Sequence, residues 1–473
     1  MKISIENFKS ITKLQNFEIK PFTILSGINS AGKSSFVQLL LLLKQTVELD
    51  SLKNPFFLDG EFYKIHNFID IISNKDLKRK LKISFEFNKS EIEQLDNLKK
   101  IPIFKTLGEY SCSIEIKYDT NKNNDIFISF FSIKFNFNGE KEQFIIIKSN
   151  NDSKIFSIET NTGIFGNDLL INNPEIYTIT YSSIYPMFYE SKIEIESELG
   201  NHKTKDIQFS KELIDIEDIK IIINSFLENI SYLGPNREEP KNEYSFSKIQ
   251  RNVGSTGEFV AQILEEEAKN ITNYYEIEKQ ENGINYNEID KTLAQATKYW
   301  MCDIFDVAED IKTEKINEIY KIILVSKSGL ETNIKHVGFG ISQLLPIVVE
   351  GLRMPNNGTL IIEQPEIHLH PKIQSQLYDF LFSLILQGKK VIIETHSSHF
   401  ITRMRRRIAE DESNKMDDII GLTFIENDVF RSIELDDYGT MDYYPDDFIE
   451  QEDTELRAIV KAQMKKRMKN VQN

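Results

Sequence analysis

Apolar and polar residues alternate from the first position, in Met1-Lys2-Ile3-Ser4-Ile5-Glu6, as on a strand with one buried face. A short strand is expected over Phe17 to Ile19 and another over Phe22-Thr23-Ile24-Leu25-Ser26. From Phe36 to Leu43 the chain is apolar on nearly every side of a helix, which predicts a helix inside a core. Between about Lys80 and Phe209 alternation dominates. Ile83, Phe85 and Phe87 form one run, and Cys112, Ile114, Ile116 and Tyr118 another. Ile126, Ile128 and Phe130 keep one phase, whereas Phe131, Ile133, Phe135 and Phe137 take the other. Because side chains on a strand have a period of two, this phase switch predicts a bulge. Asn-, Asp- and Gly-containing turns separate the runs, giving an antiparallel β-rich insertion.

Downstream, Ile214 to Leu227 has a helical pattern, and the strand Ser231-Tyr232-Leu233 stops at Gly234-Pro235. Val253 to Gly257 is a Gly-rich turn before a helix near Glu258. Helical patterns are expected to continue to about Phe305, with a strand over Ile319 to Val325. Val337-Gly338-Phe339-Gly340-Ile341-Ser342-Gln343 enters a helix that runs to Gly351. Thr359 to Glu363 is an apolar strand ending in an acid. The helix Pro371 to Leu386 places Ile373, Leu377, Phe380, Leu381 and Leu384 on one face, with Pro371 suited to its first turn. The strand Lys390 to Glu394 then leads into Thr395-His396-Ser397. Strand, acid, helix, strand and histidine make an α/β pattern with its chemistry at the C-terminal ends of strands. The fold class is α/β, with residues 1–79 as the N-terminal part of a nucleotide-binding head and 80–210 as the β-rich insertion. Residues 211–330 form a mixed, mainly helical linking region, and 331–473 the C-terminal part of the head.

Composition narrows the possibilities. The 473 residues exceed one ordinary core, so two or three domains are expected. A net charge of −16 excludes a whole-surface footprint for nucleic acid, leaving only local basic patches. The two cysteines, Cys112 and Cys302, form neither a metal spacing nor a disulfide framework, which suits a reducing cytosol. Lys2, Glu6 and Lys9 interrupt the N-terminal apolar residues, so no secretory leader is read, and no run is long enough to cross a membrane. A soluble cytoplasmic protein is the expectation.

The chain is organised around Gly27-Ile28-Asn29-Ser30-Ala31-Gly32-Lys33-Ser34, a G-x-x-x-x-G-K-S phosphate-binding loop set between a strand and a helix. Glycine at 27 and 32 lets the backbone bend tightly and brings its N–H groups to phosphate oxygens. The helix that follows turns its free N-terminal donors and positive dipole end towards the same anion. Lys33 is placed for the β- and γ-phosphates, and Ser34 for Mg²⁺. The ATP-contacting set is Gly27, Asn29, Ser30, Ala31, Gly32, Lys33, Ser34 and Ser35. The acid Glu363 can hold the Mg²⁺-bound water opposite this loop. Ser342 and Gln343, near Gly340 at a helix N-terminus, offer a second anion-binding geometry.

The order of P-loop, long insertion, Gly-rich Ser-Gln turn, Glu363-Gln364-Pro365-Glu366 and Thr395-His396 resembles an ABC-type ATPase. The resemblance is closest to the branch holding SMC proteins, RecF and the OLD-family ATPases. Within that branch the Glu-Gln-Pro-Glu-x-His-Leu-His-Pro box is similar to that of bacterial AAA-annotated ATPases, some of which, such as those of Septu and PARIS, serve in anti-phage defence. The likeness covers residues 1–70 and 330–400, extends to Leu233–Ala261 and Tyr438–Phe448 with less detail, and is absent from the insertion. It implies that Glu363 is the Mg²⁺-associated acid and His396 the switch that senses the γ-phosphate. Gly340, Ser342 and Gln343 would be the signature contributed by a partner subunit. The same resemblance implies a homodimer or higher oligomer bridged by nucleotide and a separate, nuclease-like effector. Two departures stand out. Gln364 occupies the slot of the catalytic glutamate, leaving Glu366 as the nearest carboxylate base. The signature is not Leu-Ser-Gly-Gly-Gln.

Other residues have plainer readings. His368 and His370 read as a dimer-facing loop in preference to a metal pair. Arg403, Arg405, Arg406 and Arg407 read as the solvated face of a helix whose apolar side is Ile401, Met404 and Ile408, with DNA contact as the alternative. The same choice applies to Lys461, Lys465, Lys466 and Arg467, outside a stripe of Leu456, Ile459, Val460 and Met464. Arg237, beside Gly234-Pro235, reads as part of a structural turn, with approach to phosphate as the alternative. Asp417, Asp418, Asp436, Asp437, Asp446 and Asp447 read as turns and surface, not as a nuclease centre. An ATP-driven dimeric switch leads over a DNA-binding repair clamp of the RecF kind and over an ATP-clamped scaffold that hardly turns over.

Overall fold

The computed structural model describes residues 1–28, 31–49, 55–93, 109–121, 123–137, 141–149, 156–160, 177–182, 184–190, 223–246, 248–280, 283–412, 416–445 and 459–463. The chain divides into two bodies, Met1–Ile19 with Ser35–Asn229, and Lys20–Ser34 with Ile230–Asn473.

In chain order, β1 is Lys2–Phe8, β2 Ile11–Glu18, β3 Phe22–Gly27 and α1 Lys33–Leu49. The strand expected at Phe17–Ile19 is the end of the longer β2. Then come β4 (Leu81–Asn88), β5 (Tyr110–Thr120), β6 (Ile126–Phe137), β7 (Lys141–Ser149) and β8 (Phe156–Thr160). The hairpin of β9 (Tyr177–Ser182) and β10 (Tyr185–Glu190) follows.

In the first body a seven-stranded antiparallel sheet runs in the order β2-β1-β4-β5-β6-β7-β8. Its logic is the alternation read from the sequence. Ile3, Ile5, Ile83, Phe85, Cys112, Ile114 and Ile116 are all fully buried, while their chain neighbours are not. The phase switch in β6 is a bulge. Lys117 pairs with Phe130 and Tyr118 with Ile128, so Ser129 is the extra residue, and Ile128 lies buried on one side of it, Phe131 and Ile133 on the other. The β1–β4 pairing joins strands from either side of position 80, the boundary drawn from the sequence. The apolar α1 is buried at Val37 and from Leu39 to Leu43, as its composition requires.

The second body continues with β11 (Ile230–Leu233), β12 (Tyr244–Ser245), α2 (Val260–Glu266), β13 (Ile271–Gln280), β14 (Gly283–Thr292) and α3 (Leu293–Lys298). Next are β15 (Asp310–Ile316), β16 (Ile319–Val325), β17 (Glu331–Asn333) and α4 (Phe339–Arg353). It closes with β18 (Thr359–Glu363), α5 (Pro371–Leu386), β19 (Lys390–Glu394), α6 (Ser398–Glu410), β20 (Ile420–Glu426) and β21 (Val429–Ile433). A six-stranded sheet in the order β11-β18-β19-β3-β20-β21 is parallel except at its β20–β21 edge. Its central strands β3, β18 and β19 are buried at every position but Lys390, which is why they read as nearly continuous apolar runs. Trp300, fully buried in a wide helical turn after α3, packs edge-on against Phe380 of α5 with ring centroids 5.0 Å apart.

The helical reading of 271–292 is corrected. The segment is an antiparallel ribbon in which every residue from Ile271 to Gln280 pairs with β14. Among the described residues of 211–330, β11 to β16 outweigh the short helical segments 223–227, α2, α3 and Tyr299–Ile304, so the linking region is mainly strand. The tail also holds β20 and β21, which the sequence reading left without elements. Of the helix expected over Ile214–Leu227, residues 223–227 are helical and the rest lie outside the described residues; so do Leu456, Met464, Lys465, Lys466, Arg467, Asp446 and Asp447.

Candidate functional site: a P-loop facing two acid-ended strands

β3 ends at Gly27, whose φ of +138° and neighbours both demand glycine. A Cβ there would sit 2.0 Å from the carbonyl oxygen of Ile425 on β20, the strand paired with β3. Asn29 and Ser30 lie outside the described residues. Ala31 is buried, Gly32 has a φ of +104°, and α1 begins at Lys33 itself. The Lys33 ammonium is buried and donates to the carbonyls of Gly27 (3.0 Å) and Ile28 (2.6 Å). Burial lowers its pKa, and Glu394 and Glu366 oppose that shift. The Ser34 hydroxyl donates to the carboxylate of Glu394, at 3.0 Å to Oε2 and 3.3 Å to Oε1. In the other body the Ser35 hydroxyl pairs with that of Ser10 at 3.1 Å.

Glu363 and Glu394 are register partners at the ends of β18 and β19. Glu363 accepts the Tyr232 hydroxyl at 2.6 Å on Oε1, and its main-chain carbonyl accepts from Arg237 Nη2 at 3.1 Å. Gln364 is held in the left-handed region at φ +45°, with its N–H donating to the Glu394 carbonyl at 2.7 Å. Burial, and next the neighbouring Glu363, push the Glu394 carboxyl up to about 7. The carboxylate of Glu366 accepts the Thr395 hydroxyl (2.9 Å) and the main-chain N–H of His396 (2.6 Å). Burial raises its pKa. His396 Nε2 is buried with no hydrogen-bond partner, and burial, then Lys33, lower the imidazole's pKa. The turn passes into α6 through Ser397, which accepts from Phe400 N–H at 3.1 Å and donates to Gln374 at 2.6 Å.

α4 begins after Gly338. A Cβ on Gly340 would lie 2.8 Å from the His368 carbonyl oxygen, so this glycine permits the close approach of α4 to the loop after β18. The Phe339 ring meets His368 edge-on at 4.9 Å. Ser342 donates back to the Phe339 carbonyl at 2.7 Å and is buried, and Gln343 is buried with Nε2 unpartnered. Both lie one turn inside the N-terminus of α4.

A family model described as "AAA ATPase domain" matches residues 1–401. The chain belongs to the AAA ATPase domain family. Two solved structures are similar in fold. One is the SMC head domain from Thermotoga maritima, with 7% identity and a TM-score of 0.31, covering 92% of this chain and 98% of that one. The other is an SmcHead bound to the C-winged helix domain of ScpA, with 9% identity and a TM-score of 0.39, covering 92% and 97%. No curated protein matches the sequence. The assignment rests on the match over 1–401.

An AAA ATPase domain binds a nucleotide, and Mg²⁺ is the usual companion of its phosphates. The residues present fit that cation: a hydroxyl and two buried carboxylates, all hard oxygen donors, meet where the P-loop helix starts. Ser34 and Glu363 would hold it. His370 is the N-cap of α5, its Nδ1 accepting from Lys372 N–H at 3.2 Å, which removes the metal-pair reading. Among the described residues no group of three or more His, Cys, Asp or Glu could hold a metal by itself, and no helix is long and apolar enough to cross a membrane.

The solvated-arginine reading of this domain is corrected as well. Arg403 and Arg407 converge on Asp379 of α5, at 2.7 Å and 2.8 Å, with Asp379 and Arg407 both buried. Arg405 donates to the Gly439 carbonyl (2.8 Å) and the Tyr444 hydroxyl (3.0 Å). Arg406 is exposed and pairs with Glu410. Arg237 is buried, at 5% exposure, with Nε and Nη1 unpartnered. Asp436 does serve a turn, accepting from Tyr438 and Thr440 N–H. Glu394, Tyr232 and Arg237 join the site without having been assigned to it. An acid closing a strand just before Thr-His was a usable signal for Glu394; Tyr232 offered none.

Proposed function

We propose that the chain is an ATP-binding, slowly hydrolysing switch. Two copies close head to tail around nucleotide, with Mg²⁺ held by Ser34 and Glu363, and the closed state controls or recruits a separate effector, nuclease-like in kind, in bacterial anti-phage defence. The observation that carries this reading is Gln364. It follows the strand-end acid directly, is fixed in a left-handed turn by its bond to Glu394, and bears an amide that can orient water but cannot take its proton. Glu366, the nearest further carboxylate, accepts from Thr395 and His396, which supports a positioning role for the histidine turn over a role as base. A site so equipped holds ATP longer than it hydrolyses it, and a long-lived closed state is what a sensor needs. Dimerisation is supported by the open N-terminus of α4 at Phe339 and Gly340, beside the loop that carries His368. The reading as a DNA clamp loses three of its motivating residues, because Arg403, Arg405 and Arg407 are used inside the fold, while Arg406 and Lys461 stay exposed.

Light scattering of the purified chain with and without ATP and Mg²⁺ tests the switch. ATP is expected to double the mass, and ADP to leave it unchanged. A mass insensitive to ATP, in protein shown to bind it, would remove the dimeric switch.

A further inference from the structure

Glu394 is the acid that the P-loop serine touches. Ser34 donates to both of its oxygens, at 3.0 and 3.3 Å. Register pairing of Glu363 with Glu394 on adjacent parallel strands directs the two side chains to the same face, with the backbones roughly 4.8 Å apart. Both are almost wholly buried, Glu363 at 5% and Glu394 at 3% exposure. The nearby Lys33 ammonium is committed to the carbonyls of Gly27 and Ile28. Two buried carboxylates side by side repel, and an interior tolerates them with compensating positive charge or with one of them protonated. The serine and the β18 acid are the two groups already read as holding the nucleotide's cation. Glu394 touches the first by a hydrogen bond and the second by register.

We propose that Glu394 is a further ligand of the divalent cation, so that the site holds its metal with two carboxylates, Glu363 and Glu394, and the Ser34 hydroxyl. This deepens the ATP–Mg²⁺ reading of the same site and rests on it. The chemistry is consistent. A serine oxygen can give a lone pair to the cation while its proton continues to donate to Glu394, which keeps the three groups in one geometry. Oxygen-only donors select Mg²⁺ or Mn²⁺. With two carboxylates the site has enough charge to capture the cation before nucleotide arrives.

The test is Mn²⁺ titration followed by electron paramagnetic resonance, without nucleotide and then with a non-hydrolysable ATP analogue, on wild type, Glu363→Gln, Glu394→Gln and Lys33→Ala. Wild type is expected to bind one Mn²⁺ without nucleotide. Glu394→Gln should weaken Mn²⁺ by about ten-fold or more, as Glu363→Gln does. Unchanged Mn²⁺ affinity in Glu394→Gln overturns the proposal. So does tighter binding, which would make Glu394 a latch that competes with the metal for Ser34. Failure of the underlying reading is distinct: wild type would then show no nucleotide binding that depends on Lys33. Should Glu394→Gln not fold, Glu394→Asp, which keeps the charge but shortens the reach, is read in its place, and an unchanged Mn²⁺ affinity there overturns the proposal equally.

Discussion

The carboxylate of Glu366 accepts the main-chain N–H of His396 at 2.6 Å, so the acid after β18 holds the histidine turn after β19. Thr395 donates to its other oxygen. Glu366→Gln keeps one acceptor and turns the other into an amide donor, so the N–H of His396 and the hydroxyl of Thr395 can no longer both donate to it, which loosens the turn. ATP affinity should change little, while turnover falls by between about ten-fold and a hundred-fold through misplacement of His396. The pH–rate profile should keep its wild-type shape. Loss of an ionisation from that profile would instead make Glu366 the base.

Gln364→Glu places a carboxylate where the bound water is expected, and its backbone position is already fixed by the bond to Glu394. General-base catalysis contributes about 10²–10⁴-fold, so turnover should rise by at least ten-fold, with ATP affinity preserved. An assay of phosphate release that shows no acceleration would remove Gln364 from the water-facing slot.

Much of the sheet that carries this chemistry was legible, and the reasons are local. β18, α5 and β19 occupy the ranges their apolar patterns give, because strands buried on both faces and a helix with one apolar face leave clear periodicities. The β13–β14 ribbon was misread because Tyr274, Tyr275 and Ile277 also fit a helical face. The fate of the arginines was not legible. Asp379 precedes Arg403 by 24 residues and sits on a different helix, and nothing local marks a tertiary ion pair. Glu394 was visible as a residue but not as a partner of Ser34, since that contact spans 360 positions.

Asp379 makes a sharp stability prediction. It pairs with Arg403 and Arg407 in a buried setting; Asp379→Ala leaves Arg403 without this partner and Arg407 with Glu410 alone, and should cost about 3 kcal/mol in denaturant unfolding. Arg406→Ala, on the exposed side of the same helix, should stay within about 0.5 kcal/mol. Equal effects of the two would contradict the pairing described.

Lys389 predicts a pH dependence. Its buried ammonium donates to the Gly351 (2.7 Å) and Leu352 (3.0 Å) carbonyls at the end of α4, and burial lowers its pKa from 10.5 to about 7, with Glu350 opposing. Between those values the unfolded chain binds more protons than the folded one, so this residue's contribution to stability rises with pH, by at most ~1.4 kcal/mol per unit. Below about pH 7 both states are protonated and the contribution is flat. The stability of wild type minus that of Lys389→Met, measured from pH 6 to pH 9 (about two units above the folded pKa), should therefore grow above neutrality. A difference that stays constant or shrinks would contradict the shift.

The most direct test of the account is equilibrium binding of ATP in the presence of Mg²⁺ to wild type and to Lys33→Ala. Lys33 starts α1 at the closed end of the P-loop, and its charge is the one the γ-phosphate would draw away from the Gly27 and Ile28 carbonyls. Wild type should bind ATP, and the variant should lose at least about ten-fold in affinity, as removal of a charge-assisted phosphate contact requires. Equal affinity in the two proteins, or no binding by folded wild type, would contradict the central claim that this loop is the nucleotide site.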